Sequence, residues 1–266
     1  MSASTTPSVR SDLVEPPLVP SAVGGIQQGA KIMPLYILLD TSGSMKDVEK
    51  ELNDFARELQ QLAKDEPQIA DVAYMCVIGF DSTARVLIPL GDIREASMPV
   101  ITAGGGTNYS AAFELLAARI QEDSRMIHDA GAAMFRPLAI WLSDGAPQDR
   151  EYMETFRRLF DYDAETETGN RSYPRFVPIG MRNADAETLA KLAYPAKDGL
   201  AFLSRPGVSP ADAIAAFLDF VGKTTLATGA TATSPGGPRH EVAREIAGFD
   251  PIESQYAGGD WILPAS

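Results

Sequence analysis

The stretch LYILLDTSGSM, Leu35 to Met45, changes abruptly from apolar to polar residues at Asp40. The unbroken apolar run before Asp40 is typical of a central strand that is covered on both faces. Ser42 and Ser44 follow at alternate positions on what we expect to be a tight turn. One carboxylate and two hydroxyls make a poor core, but they are hard oxygen ligands of the kind that Mg²⁺ prefers. The stretch therefore predicts a buried strand that ends at a polar site.

Strands and helices are predicted to alternate after this stretch. The apolar segment VAYMCVIGF indicates a second buried strand, and FDSTA indicates a hairpin turn into RVLIPL. Later strands are predicted at PLAIWLSD, RFVPIGM and LAFLS, with helical patterns between them. This alternation predicts an α/β fold. We expect a doubly wound, mostly parallel sheet with one antiparallel edge strand and helices on both faces.

The composition excludes several classes of function. The chain has 266 residues and a net charge of −13, which argues against binding to nucleic acid or to an anionic membrane surface. Its one cysteine, Cys76, excludes a disulfide framework within the chain. The N-terminal residues do not resemble a secretory signal, and no apolar run reaches the ~18 residues of a membrane span. We therefore expect a cytoplasmic protein.

Changes in composition divide the chain into four parts. Residues 1–30 are rich in Ser, Thr, Pro and Gly and predict a disordered arm. The folded domain is predicted over residues 31–226, and a flexible linker over 227–240. A C-terminal tail, 241–266, regains apolar residues. It is expected either to fold back on the domain or to dock on a partner.

The apolar residues of this tail suggest how it would attach. Val242, Ile246 and Phe249 follow one another at helical spacings of four and three. Trp261 stands farther on, next to Ile262 and Leu263. In the docking alternative, the tail would use a helix in a groove with Trp261 as a separate anchor.

Three polar clusters are predicted at one edge of the sheet. The first strand ends in residues 40–44, a glycine-rich loop carries residues 104–107, and a later strand ends in residues 143–145. In doubly wound folds, ligands bind outside the carboxyl ends of the strands, near the point where the strand order reverses. The three clusters are therefore expected to meet there.

The residues of these clusters resemble the metal-ion-dependent adhesion site of the von Willebrand factor type A family. That site combines an Asp-x-Ser-x-Ser motif with a distant threonine and a later aspartate at a strand end. The matching positions here are Asp40, Ser42, Ser44, Thr107 and Asp144. The resemblance covers roughly residues 34–222. It looks closest to the bacterial cytosolic branch that includes tellurium-resistance-associated members.

The resemblance implies a metal-dependent binding domain without catalytic activity. Ser42 and Ser44 would bind Mg²⁺ or Mn²⁺ directly, Thr107 would join when a ligand is present, and Asp40 and Asp144 would act directly or through water. The cation would then attract a Glu or Asp of a partner protein. Cytosolic members of the family commonly scaffold larger complexes, some with kinase–phosphatase pairs and others with AAA+ ATPases.

Two other functions use the same residues. One is a metal-dependent hydrolase or phosphotransferase, although the sequence offers no general base apart from the predicted ligands. The other is a purely structural subunit in which the metal only locks a loop. Asp149, just after the last cluster, is expected to cap a helix, with support of the metal ligands as the alternative.

Overall fold

The computed structural model describes residues 26–66, 73–163, 165–231 and 239–256. The strands are β1 (Lys31–Asp40), β2 (Ala73–Phe80), β3 (Ala84–Gly91), β4 (Ala133–Met134), β5 (Leu138–Ser143), β6 (Tyr162–Asp163), β7 (Thr168–Gly169), β8 (Arg175–Gly180), β9 (Leu200–Ser204) and β10 (Phe249–Glu253). The α-helices are α1 (Glu49–Asp65), α2 (Tyr109–Asp129), α3 (Tyr152–Phe160), α4 (Ala186–Leu192) and α5 (Pro210–Ala230). Short 3-10 helices are formed by Gly43–Val48, Ile93–Glu95 and Ala196–Asp198.

The main sheet has the strand order β10-β9-β8-β5-β1-β2-β3, and β4 pairs with the start of β1. β1 lies parallel to β2 on one side and to β5 on the other. The chain builds the β2–β3 side first and then crosses to β5, so the strand order reverses at β1. The predicted doubly wound, mostly parallel sheet is confirmed. β3 is the expected antiparallel edge strand, and β10 adds another at the opposite edge.

Helices cover both faces of the sheet, which explains the continuous apolar run of β1. Leu35, Ile37 and Leu39 pack in a hydrophobic cluster with residues of α1 and α5. Tyr36 and Leu38 point to the other face and pack in a second cluster with residues of α2 and α3. Burying each large apolar side chain contributes about 1.5–3 kcal/mol. No helix in the described segments is long and apolar enough to cross a membrane.

The C-terminal tail departs from its helical pattern. Val242, Ile246 and Phe249 have helical spacing, but residues 239–256 contain no helix. Instead, β10 pairs with β9, and Ile246 and Phe249 are buried in the cluster that contains α1 and α5. Residues 241–256 thus lie on their own domain. Trp261, Ile262 and Leu263 are outside the described residues.

Two segment boundaries also differ from the expected ones. α5 ends at Ala230, so residues 227–230 of the predicted linker are helical. At the other end of the chain, the Gly29 N–H donates to the Gly131 carbonyl at 2.8 Å. The last residues of the predicted disordered arm therefore contact the loop before β4.

Candidate metal centre

Asp40 ends β1 as a carboxylate that is fully buried at the point where the strand order reverses. Its Oδ1 accepts the Ser42 N–H at 2.8 Å, and its Oδ2 accepts the Ser143 hydroxyl at 2.6 Å. Burial raises the pKa of Asp40, and the hydrogen bonds from Ser143 and Ser42 oppose that rise. Among the described residues, only neutral groups donate to this carboxylate. It is therefore a buried acid without a counter-charge in direct contact.

The two motif serines connect the ends of two strands. Ser42 Oγ lies 3.0 Å from Ser44 Oγ, and the Ser44 hydroxyl donates to Asp144 Oδ1 at 2.7 Å. Asp144 is buried directly after β5, whereas Ser44 is exposed. The structure thus joins Asp40, Ser42, Ser44 and Asp144 in one hydrogen-bonded set that opens to solvent at Ser44.

Thr107 reaches the same edge through the backbone of its loop. The Gly43 N–H donates to the Gly105 carbonyl at 3.0 Å, and the Gln148 N–H donates to the Thr107 carbonyl at 2.9 Å. Gly105 has a φ of +77°, which favours glycine, and a Cβ there would lie 2.9 Å from Ser82 Oγ. The loop therefore contacts the first cluster directly, and it contacts Gln148, three residues beyond the last cluster. The Thr107 hydroxyl itself makes no hydrogen bond to a described residue.

Ser143 and Tyr109 form hydrogen bonds that hold the predicted ligands in place. The Tyr109 hydroxyl donates to the Gly145 carbonyl at 2.8 Å and lies 3.0 Å from Ser143 Oγ. Ser143 in turn holds Asp40. Although Ser143 stood within a polar cluster of the sequence, its role was missed because it depends on the neighbouring strand. Tyr109 looks like an ordinary core residue in the sequence.

Asp149 caps the start of α2 from a different part of the chain. Its Oδ1 accepts the Tyr109 N–H at 2.9 Å, and its Oδ2 accepts the Ser110 N–H at 3.0 Å. A carboxylate at a helix N-terminus satisfies free N–H groups and interacts favourably with the helix dipole. Asp149 thereby fixes the helix that follows the Thr107 loop.

Arg182 is the principal residue that the sequence interpretation missed. It follows β8, the neighbour of β5, and its Nη1 donates to Asp144 Oδ2 at 3.0 Å and to the Ser44 carbonyl at 2.7 Å. Its Nη2 donates to Asp47 Oδ2 at 2.7 Å. A basic residue directly after a strand at this edge was a usable signal, but it required knowing which strands are neighbours.

The chemistry of these residues fits a hard divalent cation. All predicted ligands are oxygen donors, which suit Mg²⁺ or Mn²⁺ better than a soft metal. The described residues contain no cluster of three or more His, Cys, Asp or Glu side chains that could hold a metal. With only Asp40 and Asp144 as acids, and with Arg182 on Asp144, a cation bound here would keep part of its positive charge.

A sequence comparison matches the segment that carries this geometry. Residues 35–146 match the family model of the von Willebrand factor type A domain. The matched segment contains all five predicted metal ligands, and it supports the resemblance to the type A family. No curated protein matches the chain.

The chain is also similar in fold to several solved structures. The pilus adhesin SpaC of Lactobacillus rhamnosus GG is 16% identical, with a TM-score of 0.52 over 77% of this chain and 31% of that chain. A D319A mutant of the PilB minor pilin from Streptococcus sanguinis is 12% identical, with a TM-score of 0.52 over 79% of this chain and 65% of that chain. A von Willebrand factor type A protein from Catenulispora acidiphila is 17% identical, with a TM-score of 0.45 over 74% of this chain and 43% of that chain. The chain thus spans less than half of the adhesin and of the Catenulispora protein.

Replacing Arg182 should strengthen metal binding at this candidate site. Arg182→Gln removes a positive charge that contacts Asp144, so we expect Mn²⁺ to bind about five-fold more tightly, equivalent to about 1 kcal/mol. Arg182→Lys keeps the charge and should stay closer to the wild-type affinity. Calorimetric titration measures both values. Weaker binding by Arg182→Gln would instead mean that Arg182 is needed to hold the ligands in position.

Proposed function

We propose that this edge of the sheet binds Mg²⁺ or Mn²⁺ and, through the cation, a carboxylate of a partner protein. The observation that carries the proposal is the hydrogen-bonded set of Asp40, Ser42, Ser44 and Asp144 at the reversal of strand order. Ligands bind at this position in doubly wound sheets. Two acids and two or three hydroxyls leave at least one position of an octahedral cation open, and a partner carboxylate could fill it.

Each residue would have a distinct part in this binding. Asp40 and Asp144 would supply negative charge, and Ser42 and Ser44 would supply hydroxyl oxygens. Ser44 is exposed, so a partner could approach the cation from that side. Thr107, on the loop bonded to Gly43 and Gln148, would add a third hydroxyl when the partner is present. The bound metal would supply an electrostatic bridge between the two proteins.

We propose binding without catalysis. Two acids near the predicted ligands are already engaged, because Asp149 caps α2 and Asp47 pairs with Arg182. Neither is free to act as a general base, which is what a hydrolase or phosphotransferase would need beyond its metal ligands. This supports an interaction domain over an enzyme that uses the same cation.

We also propose a cellular setting for this activity. The resemblance to tellurium-resistance-associated proteins favours a scaffold in a cytoplasmic stress-response complex, with a kinase–phosphatase pair or an AAA+ ATPase as the companion activity. The single cysteine, Cys76, is buried and free, which suits a reducing compartment. Cell fractionation tests the location, and recovery in an extracellular fraction would contradict it.

The proposed function is tested by capture of proteins on the immobilised full chain. We expect bound proteins to be retained in Mg²⁺ and released by EDTA, and we expect Asp144→Asn to lose them. Asp129→Asn is the matched control, since it removes the same charge from an exposed residue at the far end of α2. Capture that is equal with Mg²⁺ and EDTA would favour the purely structural alternative.

Thr107→Ala should separate partner binding from folding. The hydroxyl makes no hydrogen bond to a described residue, so the substitution should cost only the burial of one methyl group, about 1 kcal/mol of the free energy of unfolding. The captured proteins should nevertheless bind more weakly. Thr102→Ala, on the same loop, serves as the control, and both variants are compared by thermal melting and by capture. A large fall in melting temperature with normal capture would reverse the assignment.

A further inference from the structure

A second concave site lies at the opposite edge of the sheet, where β1, β5 and β8 begin. It is a cavity of about 320 Å³, and its charged lining residues are Arg136, Arg175, Asp198 and Arg239. This volume is at the lower end of the range for small-molecule sites. The proposed metal centre lies at the other ends of the same strands, so the cavity is separate from it.

Two arginines supply hydrogen-bond donors to the cavity. Arg136 and Arg175 stand at the starts of β5 and β8, which are neighbouring strands in register from Leu138 and Arg175 onward. Arg136 Nη1 donates to the Tyr173 carbonyl at 3.2 Å, and Arg175 Nη2 donates to the Asp198 carbonyl at 3.2 Å. Neither guanidinium forms an ion pair with a carboxylate in the described parts of the chain. Both keep N–H groups available for a ligand.

The charges around these two arginines leave an excess of positive charge. Arg239 is paired with Glu241 at 2.6 Å, so these two cancel. Asp198 opposes Arg136 and Arg175 with a single exposed carboxylate. Burial lowers the pKa of Arg175, as expected for a cation that is partly removed from water. The chain as a whole has a net charge of −13, so a positively charged cavity is not expected from its average composition.

The other lining residues can contact the apolar part of an organic ligand. Met33, Phe135 and Pro195 line the cavity, and the Arg136 guanidinium lies 3.6 Å from the centre of the Tyr173 ring. This stacking fixes the orientation of the guanidinium. Planar guanidinium groups held in this way recognise carboxylate and phosphate oxygens with paired N–H donors.

His240 adds a polar atom that has no partner in the described residues. Its Nε2–H donates to the Arg136 carbonyl at 2.5 Å, because a carbonyl oxygen can only accept, and its Nδ1 is buried without a hydrogen bond. Burial lowers the pKa of His240 to about 4, so the ring is neutral at pH 7. Nδ1 is then an acceptor that lacks a donor.

We propose that this cavity binds a small organic anion, whose carboxylate or phosphate group is held by Arg136 and Arg175 and whose compact apolar body packs against Phe135. The two possible head groups share the same chemistry of recognition, and the test separates them. This site does not depend on the proposed metal centre.

Four probes test the proposal on the full chain. Phenyl phosphate and benzoate carry an aromatic body, while inorganic phosphate and acetate carry the head group alone. We expect at least one aromatic probe to bind at least ten-fold more tightly than its bare head group, measured by calorimetry. The better head group identifies the ligand as a phosphate or a carboxylate. No saturable binding by any of the four probes would overturn the proposal.

Variants assign the binding to the two arginines. Arg136→Gln and Arg175→Gln should each weaken the binding of the better probe at least ten-fold, and the corresponding Lys variants should weaken it less. Arg57→Gln removes the same charge from the exposed face of α1 and should have no effect. Equal affinity in all of these proteins would overturn the assignment.

Two further measurements remain decisive if the glutamine variants fail to fold. In the wild-type protein, the probe should shift the NMR signals of the Arg136 and Arg175 side-chain N–H groups, and unshifted signals at saturation would contradict the proposal. Affinity for the probe should also be the same in Asp40→Ala and in EDTA. Loss of binding under either condition would place the anion at the metal centre instead.

Discussion

Asp40→Ala is expected to weaken Mn²⁺ binding at least about 100-fold while the protein stays folded. Asp40 is one of only two carboxylates in the proposed ligand set, so its loss removes half of the protein's negative charge there. The substitution also frees the Ser42 N–H and the Ser143 hydroxyl, each of which donates to Asp40. Leaving such buried donors unpaired costs about 1–3 kcal/mol for each, which a domain with about 5–15 kcal/mol of stability tolerates in most cases. Calorimetric titration with Mn²⁺ measures the affinity, and circular dichroism checks the fold.

Asp40→Asn shows whether the charge or the shape of Asp40 matters for metal binding, and Asp129→Ala is the control. Asp40→Asn keeps the size of the side chain and an oxygen that can accept the Ser42 N–H, but it removes the charge. It should lose metal affinity nearly as fully as Asp40→Ala with a smaller loss of stability. Asp129→Ala, an exposed change of equal charge, should bind Mn²⁺ like the wild type. Unchanged Mn²⁺ affinity in Asp40→Ala would rule out a metal centre that uses this residue.

The strands that carry the site were predictable because their signal is local. Leu35 to Asp40 is apolar at every position before the carboxylate, and this requires cover on both faces of the sheet. The structure supplies that cover through the two clusters on either side of β1. The order of polar residues after the strand then defines the turn. Both observations depend only on residues that are adjacent in the chain.

The contacts of Arg182 could not be predicted in the same way. Its position at the site depends on β8 lying next to β5 and on a φ of +56° at Arg182 itself. Neither property is encoded in the residues immediately around it. Arg182 lies 138 residues from Ser44 in the chain, yet its Nη1 is 2.7 Å from the Ser44 carbonyl. Strand order, and not local pattern, creates this contact.

The tail shows how a correct apolar pattern can predict the wrong element. Three apolar residues at spacings of four and three fit a helix, but so few positions do not exclude an extended chain. Gly248 has a φ of +78°, and Pro251 cannot donate a hydrogen bond within a helix. Pro251 is tolerated in β10 because this strand lies at the edge of the sheet. Gly248, which lies inside the Val242–Phe249 pattern, was the signal against a helix.

The largest loss of stability is expected from Asp123→Ala. Arg119 and Asp123 form an ion pair on α2 with both side chains fully buried, and the Tyr36 hydroxyl of β1 donates to Asp123 Oδ2 at 2.9 Å. Removing the acid leaves a buried guanidinium without its carboxylate and frees the Tyr36 hydroxyl. Breaking a buried pair in this way costs about 3–5 kcal/mol. Urea denaturation of the two proteins measures the difference in the free energy of unfolding.

Two controls separate burial from charge pairing in this result. Asp219→Ala breaks a pair with Lys223 at the same spacing on α5, but both side chains are exposed, so its cost should stay within about 0.5 kcal/mol. The double variant Arg119→Met with Asp123→Leu replaces the buried pair by apolar groups and should recover most of the lost stability. The Tyr36 bond joins α2 to β1, the strand that ends at Asp40. Asp123→Ala should weaken Mn²⁺ binding only by unfolding the domain. A folded Asp123→Ala protein of wild-type stability would show that the buried pair does not hold α2 against the sheet.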